Sequence, residues 1–253
     1  TPTRGGTFSL SFLAIRTSFI KDDELNNSPT FNRFVENREI IRDRLNNLNT
    51  QGEYGLNSQD VLIPAFISAY SDSDPTSYSL KPFPKIPIPN WRVDFSGLSK
   101  IESLSEIFSN ITISHAYQSI YSIGEFSNSL LYIDNLDFNN SIMNYPLASQ
   151  QTENGLIPFY IINQVRITER FSPLIGINVR TKNNLNARVD YKKDRNIMLN
   201  LSNSQVSEMR NSDFSLDFGY TKEKLKLPFK YMGNTIILDN EIEFRLNFII
   251  RNT

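Results

Sequence analysis

The sequence predicts an all-β fold: a segment of an antiparallel transmembrane β-barrel, with a helical insertion outside the membrane. Three observations point there. Segment after segment alternates apolar and polar residues, as in LNARVDYKKD (Leu185–Asp194) and EIEFRLNFII (Glu241–Ile250). The polar side of that alternation carries long charged residues of both signs, as a water-filled lumen requires. Aromatic residues gather near segment ends (Tyr117, Tyr121, Phe159, Tyr160, Phe171, Tyr191, Tyr220), where a membrane–water boundary suits a ring with a wet edge.

The elements follow in chain order. Phe8, Leu10, Phe12 and Ala14 share one side of a first strand, within residues 1–20. Residues 21–90 read as a helical and Pro-rich insertion. After the acidic turn Asp22-Asp23-Glu24, Ser28 is placed as a helix N-cap and Pro29 at the first helical position, where its missing N–H has no helical partner to lose. Phe31, Phe34, Val35, Ile41, Leu45 and Leu48 recur at helical spacing. A second helical piece covers Ser58–Tyr70, and Pro64 predicts a bend or two short turns. Four prolines keep the following stretch to residue 90 extended and outside any ladder.

Residues 91–253 read as barrel strands. WRVDF (Trp91–Phe95) is a short strand, and LSKIESLSEIFSN a turn with a short helix. Strands follow on Ile111–Tyr121, Phe159–Thr168, Ile175–Arg180, Leu185–Asp194, Ile197–Ser202, Phe214–Tyr220 and Ile242–Ile250. TKNN and KKDR are expected as tight hairpin connections, 123–156 and 222–238 as long ones. The facing assignment puts Arg166, Arg180, Asn186, Arg188, Asp190, Lys192, Asp217, Glu243, Arg245 and Asn247 toward the lumen. It puts Leu185, Val189, Tyr191, Phe214, Leu216, Phe218, Ile242, Phe244, Leu246 and Phe248 toward lipid.

Composition narrows the function classes. The chain has 253 residues, with 26 Lys+Arg against 27 Asp+Glu, which argues against a dedicated nucleic-acid binder. With no Cys and one His, thiolate chemistry and His-rich zinc sites are excluded. No run approaches the roughly 20 apolar residues of a membrane helix. A soluble sandwich also alternates, so periodicity alone leaves that reading open. Strictness favours lipid: a one-residue slip would turn Glu243 and Arg245 into hydrocarbon, at about 2–4 kcal/mol for a midplane Arg. The chain begins and stops inside strand-like patterns, which predicts further sequence on both sides.

Longer words can be read beyond the rhythm. TFNRFVENREIIRDRL, NSQDVLIPAFISAY, KIPIPNWRVDFSGLSKI, FSPLIGINVRTKNNLNARVDYKKDRNIMLNLSNSQVSE and KLKLPFK, in that order, resemble the SprA/Sov family. This is the giant outer-membrane translocon of the type IX secretion system of Bacteroidota, and the resemblance runs over roughly residues 15–251, near the family's C-terminal end. It implies a very large barrel acting as an outer-membrane protein-conducting channel rather than an enzyme, with no cofactor, serving protein transport and gliding motility. Implied partners are folded cargo proteins with type IX C-terminal signal domains, the translocon's shuttle and plug proteins, outer-membrane lipid and the rest of the same long polypeptide. Two other functions fit the strands without the resemblance: a soluble β-rich surface binding or adhesion module, and a small-solute porin.

No catalytic, cofactor or metal residues are assigned. His115, between Ile113 and Tyr117 on the apolar side, reads as an interfacial ring rather than a pH-sensitive or ligand position. SDSD (Ser71–Asp74) and DNLDFNN (Asp134–Asn140) have calcium-like oxygen spacing but lack the glycine and closing glutamate of a calcium loop, so they read as solvated acids. Asn110-Ile111-Thr112 and Asn200-Leu201-Ser202 match the glycosylation acceptor, as chance allows in so Asn-rich a chain. The insertion admits two roles, a packed extramembrane cap or an element of the pore mouth.

Overall fold

The computed structural model describes residues 5–25, 27–48, 52–132, 148–152, 155–231, 234–238 and 240–253. The chain is mostly antiparallel β-sheet with few helices. Strand β1 (Gly5–Ser11) is followed by a 3-10 turn, then by helices α1 (Pro29–Leu48) and α2 (Gln59–Tyr70). Next come β2 (Trp91–Phe95), the short α3 (Glu102–Ser105) and β3 (Phe108–Asn128). The short strands β4 (Ser149–Thr152), β5 (Gly155–Ile157) and β6 (Tyr160–Ile162) precede the long β7 (Gln164–Thr181), β8 (Leu185–Asn200) and β9 (Gln205–Lys222). The hairpin β10 (Leu225–Tyr231) and β11 (Asn234–Leu238) leads to β12 (Ile242–Asn252).

The main sheet has the order β1-β3-β7-β8-β9-β12, with β2 and β6 also pairing with β3. Among the described residues this path is not closed. Two compact units divide the chain. The first holds Thr1–Pro89, Ser119–Glu169 and Arg195–Met209; the second holds Asn90–Gln118, Arg170–Asp194 and Arg210–Thr253. Strands β3, β7, β8 and β9 thus supply residues to both.

In the first unit, the Ser28 hydroxyl accepts the Phe31 N–H and opens α1 as expected. The buried stripe of α1 is Thr30, Phe34, Asn37, Ile41 and Leu45; Phe31, Val35 and Leu48, expected inward, are exposed. The seam against α2 is narrow, and Asn37 belongs in it because its Nδ2 donates to the Ser68 hydroxyl at 2.9 Å. Helix α2 is buried from Val61 to Tyr70 on all sides, as a helix apolar all round must be. It crosses Pro64 as one helix, not two turns. Pro64 lies in the second turn, so its missing N–H forfeits one bond, to the Asp60 carbonyl, against the burial of the whole helix.

The helices cover one side of the sheet. Val165 and Ile167 of β7, Ile197 and Leu199 of β8, and Tyr121 and Ile123 of β3 share a core with Phe34, Ile41, Leu45 and the α2 residues. The Pro-rich stretch is irregular as expected, and it is tied down: Leu80 and Pro82 are buried, and the Pro82 carbonyl accepts the Tyr121 hydroxyl at 3.0 Å. Phe83 meets Phe8, Phe126 and Tyr160 edge to face, with centroids 5.1–5.4 Å away.

Several expected boundaries shift. Strand β3 continues to Asn128, into the stretch expected as a loop from residue 123, because β1 pairs with it there, Gly6 opposite Phe126 and Phe8 opposite Ile123 around a bulge. The segments expected as separate strands around Ile167 and Ile177 are one strand, β7, and those around Val189 and Leu199 are one strand, β8. TKNN forms a turn, in which Asn184 takes the left-handed φ of 60°. KKDR does not turn: it lies inside β8, with β7 and β9 on either side, and has none of the glycine or left-handed residues a tight turn needs. The connection expected over 222–238 is the β10–β11 hairpin.

Candidate functional site

The second unit presents a sheet with two unlike faces. β9 and β12 pair residue for residue: Phe244 faces Tyr220, Leu246 faces Phe218, Phe248 faces Leu216 and Ile250 faces Phe214. Directly opposed residues share a face, so these four pairs form one apolar surface. Phe244, Leu246, Phe248 and Ile250 are 53%, 62%, 54% and 67% exposed. Leu185, Tyr191, Phe214 and Phe218 are exposed as well, while Val189, Leu216 and Ile242 are half-buried. Val93, Phe95, Ile175 and Ile177 add further exposed apolar side chains. Scattered exposed apolar residues are ordinary; a contiguous sheet face of them marks a contact surface.

The intervening residues form the other face. Arg251 clamps Asp213 with two bonds, at 2.8 and 3.1 Å. Asn247 donates to Asp217 directly across the ladder, and Arg245 donates to Glu243 at 2.8 Å. A Cβ placed on Gly219 would lie 3.8 Å from both Asn186 Cβ and Glu243 Oε1, so side chains of β8 and β12 flank one spot on β9. Arg188 Nε donates to Asp190 at 2.7 Å; Asp190 is buried, whereas Arg188 and Arg180 are exposed. Lys192 is half-buried, within electrostatic reach of Asp213. On β2, Arg92 grips Asp94, which also accepts the Ser114 hydroxyl. Exposed pairs of this kind contribute about 0–1 kcal/mol each, so their main effect is to cancel charge.

Nine of the ten polar residues singled out in the sequence therefore belong to the second unit, and those on β8, β9 and β12 are brought together. Arg166 belongs to the first unit, its Nη2 3.8 Å from Met198 Sδ. Ile249, opposite Ser215, breaks the alternation on the polar face.

The aromatic residues need a correction. Tyr117, Tyr121 and Phe171 are fully buried, and Phe159 and Tyr160 half-buried. Tyr117 stacks on Trp91 at 4.4 Å and meets Phe171 at 5.0 Å; its ring is a packing element. Only Tyr191 and Tyr220 of that set are exposed at the apolar surface. His115 sits in the same aromatic cluster, and its Nδ1 donates to the Leu174 carbonyl at 2.7 Å.

The acids of SDSD are occupied locally. Asp72 pairs with Arg33, and Asp74 accepts the Thr76 N–H and hydroxyl at 2.9 and 2.7 Å. DNLDFNN lies outside the described residues.

The sequence reading missed a buried ionic cluster in the first unit. Arg195, Glu169 and Glu208 come from three adjacent strands; Arg195 Nε donates to Glu208 at 2.7 Å, and Nη1 lies 3.9 Å from Glu169. The Arg195 guanidinium also lies 5.5 Å from the Tyr70 ring centroid. Arg195 and Glu169 are essentially inaccessible. The signal was present: Arg195 is in step with Ile197 and Leu199, and Glu169 with Val165 and Ile167. Charges on the apolar side of an alternating strand announce partners.

No helix among the described residues is long and apolar enough to cross a membrane, which says nothing of a β-barrel. Compared with known proteins, the chain matches no family model and no curated protein.

Proposed function

We propose that this chain is a stretch of the wall of an outer-membrane protein-conducting β-barrel, of the type IX translocon kind that its sequence resembles. The observation that carries the proposal is the exposed apolar surface of the second unit, backed by a polar surface whose charges nearly cancel. From Ile242 to Ile250 that surface spans roughly 25 Å at the usual strand rise, the height of the apolar band of outer-membrane barrels. The polar face then lines the lumen. With charge cancelled and amides interspersed, it offers passing proteins hydrogen bonds without attracting or repelling one class of cargo.

On this reading the helices are a cap and not a pore-mouth element. They lie on the apolar side of β7 and β8 in the first unit, with Val165, Ile167, Ile197 and Leu199 beneath them. Within that unit Arg166, assigned to the lumen, alternates with Val165 and Ile167 on β7, so the helices take the opposite side from it. The strands have length to spare for such a cap: β3 has 21 residues, β7 18 and β9 18, where about 9–11 cross a membrane.

Closure of the barrel, folded cargo with type IX C-terminal signals, and the shuttle and plug proteins all belong to this proposal. The experiment is expression of the intact protein in an outer membrane, followed by extraction. Release only by detergent, together with co-purification of secretion partners, supports the translocon. Solubility without detergent overturns it in favour of a surface binding module. Detergent dependence without protein partners favours a solute porin.

A further inference from the structure

The segment leading into α2 and the end of β5 border a cavity of about 440 Å³. Glu53, Tyr54, Ser58 and Asp60 line it from the α2 segment, Leu156 and Pro158 from the β5 segment, and all six belong to the first unit. The two segments are tied together around it. Gln59 Nε2 donates to the Tyr160 carbonyl, and the Ile162 N–H donates to Gln59 Oε1 at 2.9 Å. The Tyr54 hydroxyl accepts the Ala148 N–H at 2.9 Å. Among the described residues, two acids and no base line the cavity. The sequence on both sides shares that bias: residues 45–80 and 116–165 contain no Lys, Arg or His. Arg38 reaches the rim, where it donates to Asn57 Oδ1 at 3.3 Å and lies over the Phe34 ring. No cation among the described residues acts on Asp60: burial pushes its carboxyl up to about 7, and only the Gln59 side chain opposes that. Its ionised form therefore lowers stability above that pH, and Asn in its place would not. A carboxylate kept where it weakens the fold points to a ligand that needs it.

We propose that this cavity binds the alkylammonium side chain of a lysine from a docking polypeptide, with the Asp60 carboxylate on the ammonium and the stem against Tyr54, Leu156 and Pro158. The site lies in the cap and does not depend on the barrel reading. Asp60 is half-buried, so a group in the cavity can reach its carboxylate, while Glu53 is exposed and adds a second negative charge. The size fits a small organic group. The lining fits one as well: a four-carbon stem needs apolar walls, and an ammonium needs one well-placed carboxylate. A bare metal ion would need several oxygen ligands converging on a point, and no group of three or more metal-ligating side chains occurs among the described residues. The Gln59 and Tyr54 bonds hold the walls in place before anything binds, so little ordering accompanies docking.

The probe is n-butylammonium, which carries the head and stem of lysine, titrated into the intact protein in detergent and followed by saturation-transfer NMR of the ligand. Saturable binding is expected at pH 8, and binding about tenfold weaker or less at pH 5, where Asp60 is protonated. Asp60→Asn should abolish the pH 8 signal, and Glu53→Gln should weaken binding about threefold. Nα-acetyl-lysinamide should compete with the probe, while neutral n-pentanol and calcium ions should not. Binding retained in a folded Asp60→Asn variant, or equal at the two pH values in the wild type, overturns the proposal; the pH comparison decides it even where the variant does not fold. Competition by n-pentanol overturns it in favour of a plain apolar hollow, and competition by calcium in favour of a metal site. Binding of n-butylammonium without competition by Nα-acetyl-lysinamide overturns the polypeptide as occupant. None of these outcomes bears on the strands as a barrel wall.

Discussion

Arg195 Nη1 donates to the Thr17 hydroxyl at 2.8 Å, and that hydroxyl lies 2.8 Å from the Tyr70 carbonyl, to which it donates in turn. One buried guanidinium on β8 thereby holds the turn after β1 and, through it, the Tyr70 carbonyl at the end of α2. Glu169 and Glu208 supply the compensating charge. Removing one partner of such a buried set costs about 3–5 kcal/mol, because the others stay desolvated. Arg195→Met is therefore expected to loosen the first unit severely, and Thr17→Val to cost about 1 kcal/mol through a lost hydrogen bond. Limited proteolysis in the 52–58 and 71–79 segments, alongside thermal unfolding, measures both; equal, small effects would contradict the latch.

Leu246 and Asn247 are neighbours in β12 with opposite surroundings. Leu246→Arg places a cation on the exposed apolar surface, at about 2–4 kcal/mol near a bilayer midplane. Asn247→Arg adds a cation beside Asp217 on the polar surface. The first is expected to lower the membrane-inserted fraction and the second to leave it unchanged, scored by membrane fractionation and heat-modifiable gel mobility. Matching effects would show that the two faces do not meet different media.

Charge reversal on the polar face is expected to divide by burial. The Arg245 side chain is largely exposed, and Arg245→Glu should be tolerated in assembly and transport. Asp190 is buried beside Arg188, with Oδ1 only 2.7 Å from where a Cβ on Gly176 would sit. Asp190→Lys must fit a longer, like-charged side chain there and should block assembly before transport can be measured. Sequence alternation gives the two positions equal standing; tolerance of both would mean that the packing around Asp190 yields easily.

Asp60 opens α2 in the cap, outside the strands. Burial pushes its carboxyl up from the ordinary 3.8 to about 7, partly offset by the Gln59 side chain. The folded protein therefore binds an extra proton between those values. Its stability should fall as pH rises from about 4 to 7 and stay at the lower level above. Asp60→Asn removes this dependence, so the variant should gain on the wild type at pH 8 and not at pH 4. Urea midpoints at the two pH values decide it; a gain at pH 4 alone would reverse the sign.

The sequence was most readable where one physical demand acted alone. Ser28-Pro29 opens α1, TKNN turns, and the β9–β12 faces follow their alternation, because capping, turn geometry and solvent each leave a local mark. It was least readable where two demands met. KKDR looked like a turn because polar runs usually face water, yet in β8 Arg195 is buried among carboxylates. Tyr117 and Tyr121 looked interfacial because tyrosine suits a wet edge, yet Trp91, Phe171 and the Pro82 carbonyl enclose them. Proline at 64 looked like a breaker because local propensity says so, and the burial of α2 outweighs it. In each case the deciding partner lies far away in the chain.

The 16-residue length of β8 carries an evolutionary corollary. Tyr191 and Arg195 are counted off along the same uninterrupted backbone. An insertion or deletion of one residue between Tyr191 and Arg195 would therefore turn one of two unrelated groups to the wrong face: the guanidinium, or the Val189 and Tyr191 side chains. Point substitutions can drift at either end independently. Length changes cannot, so relatives of this chain should vary freely in the spelling of β8 and scarcely at all in its number of letters.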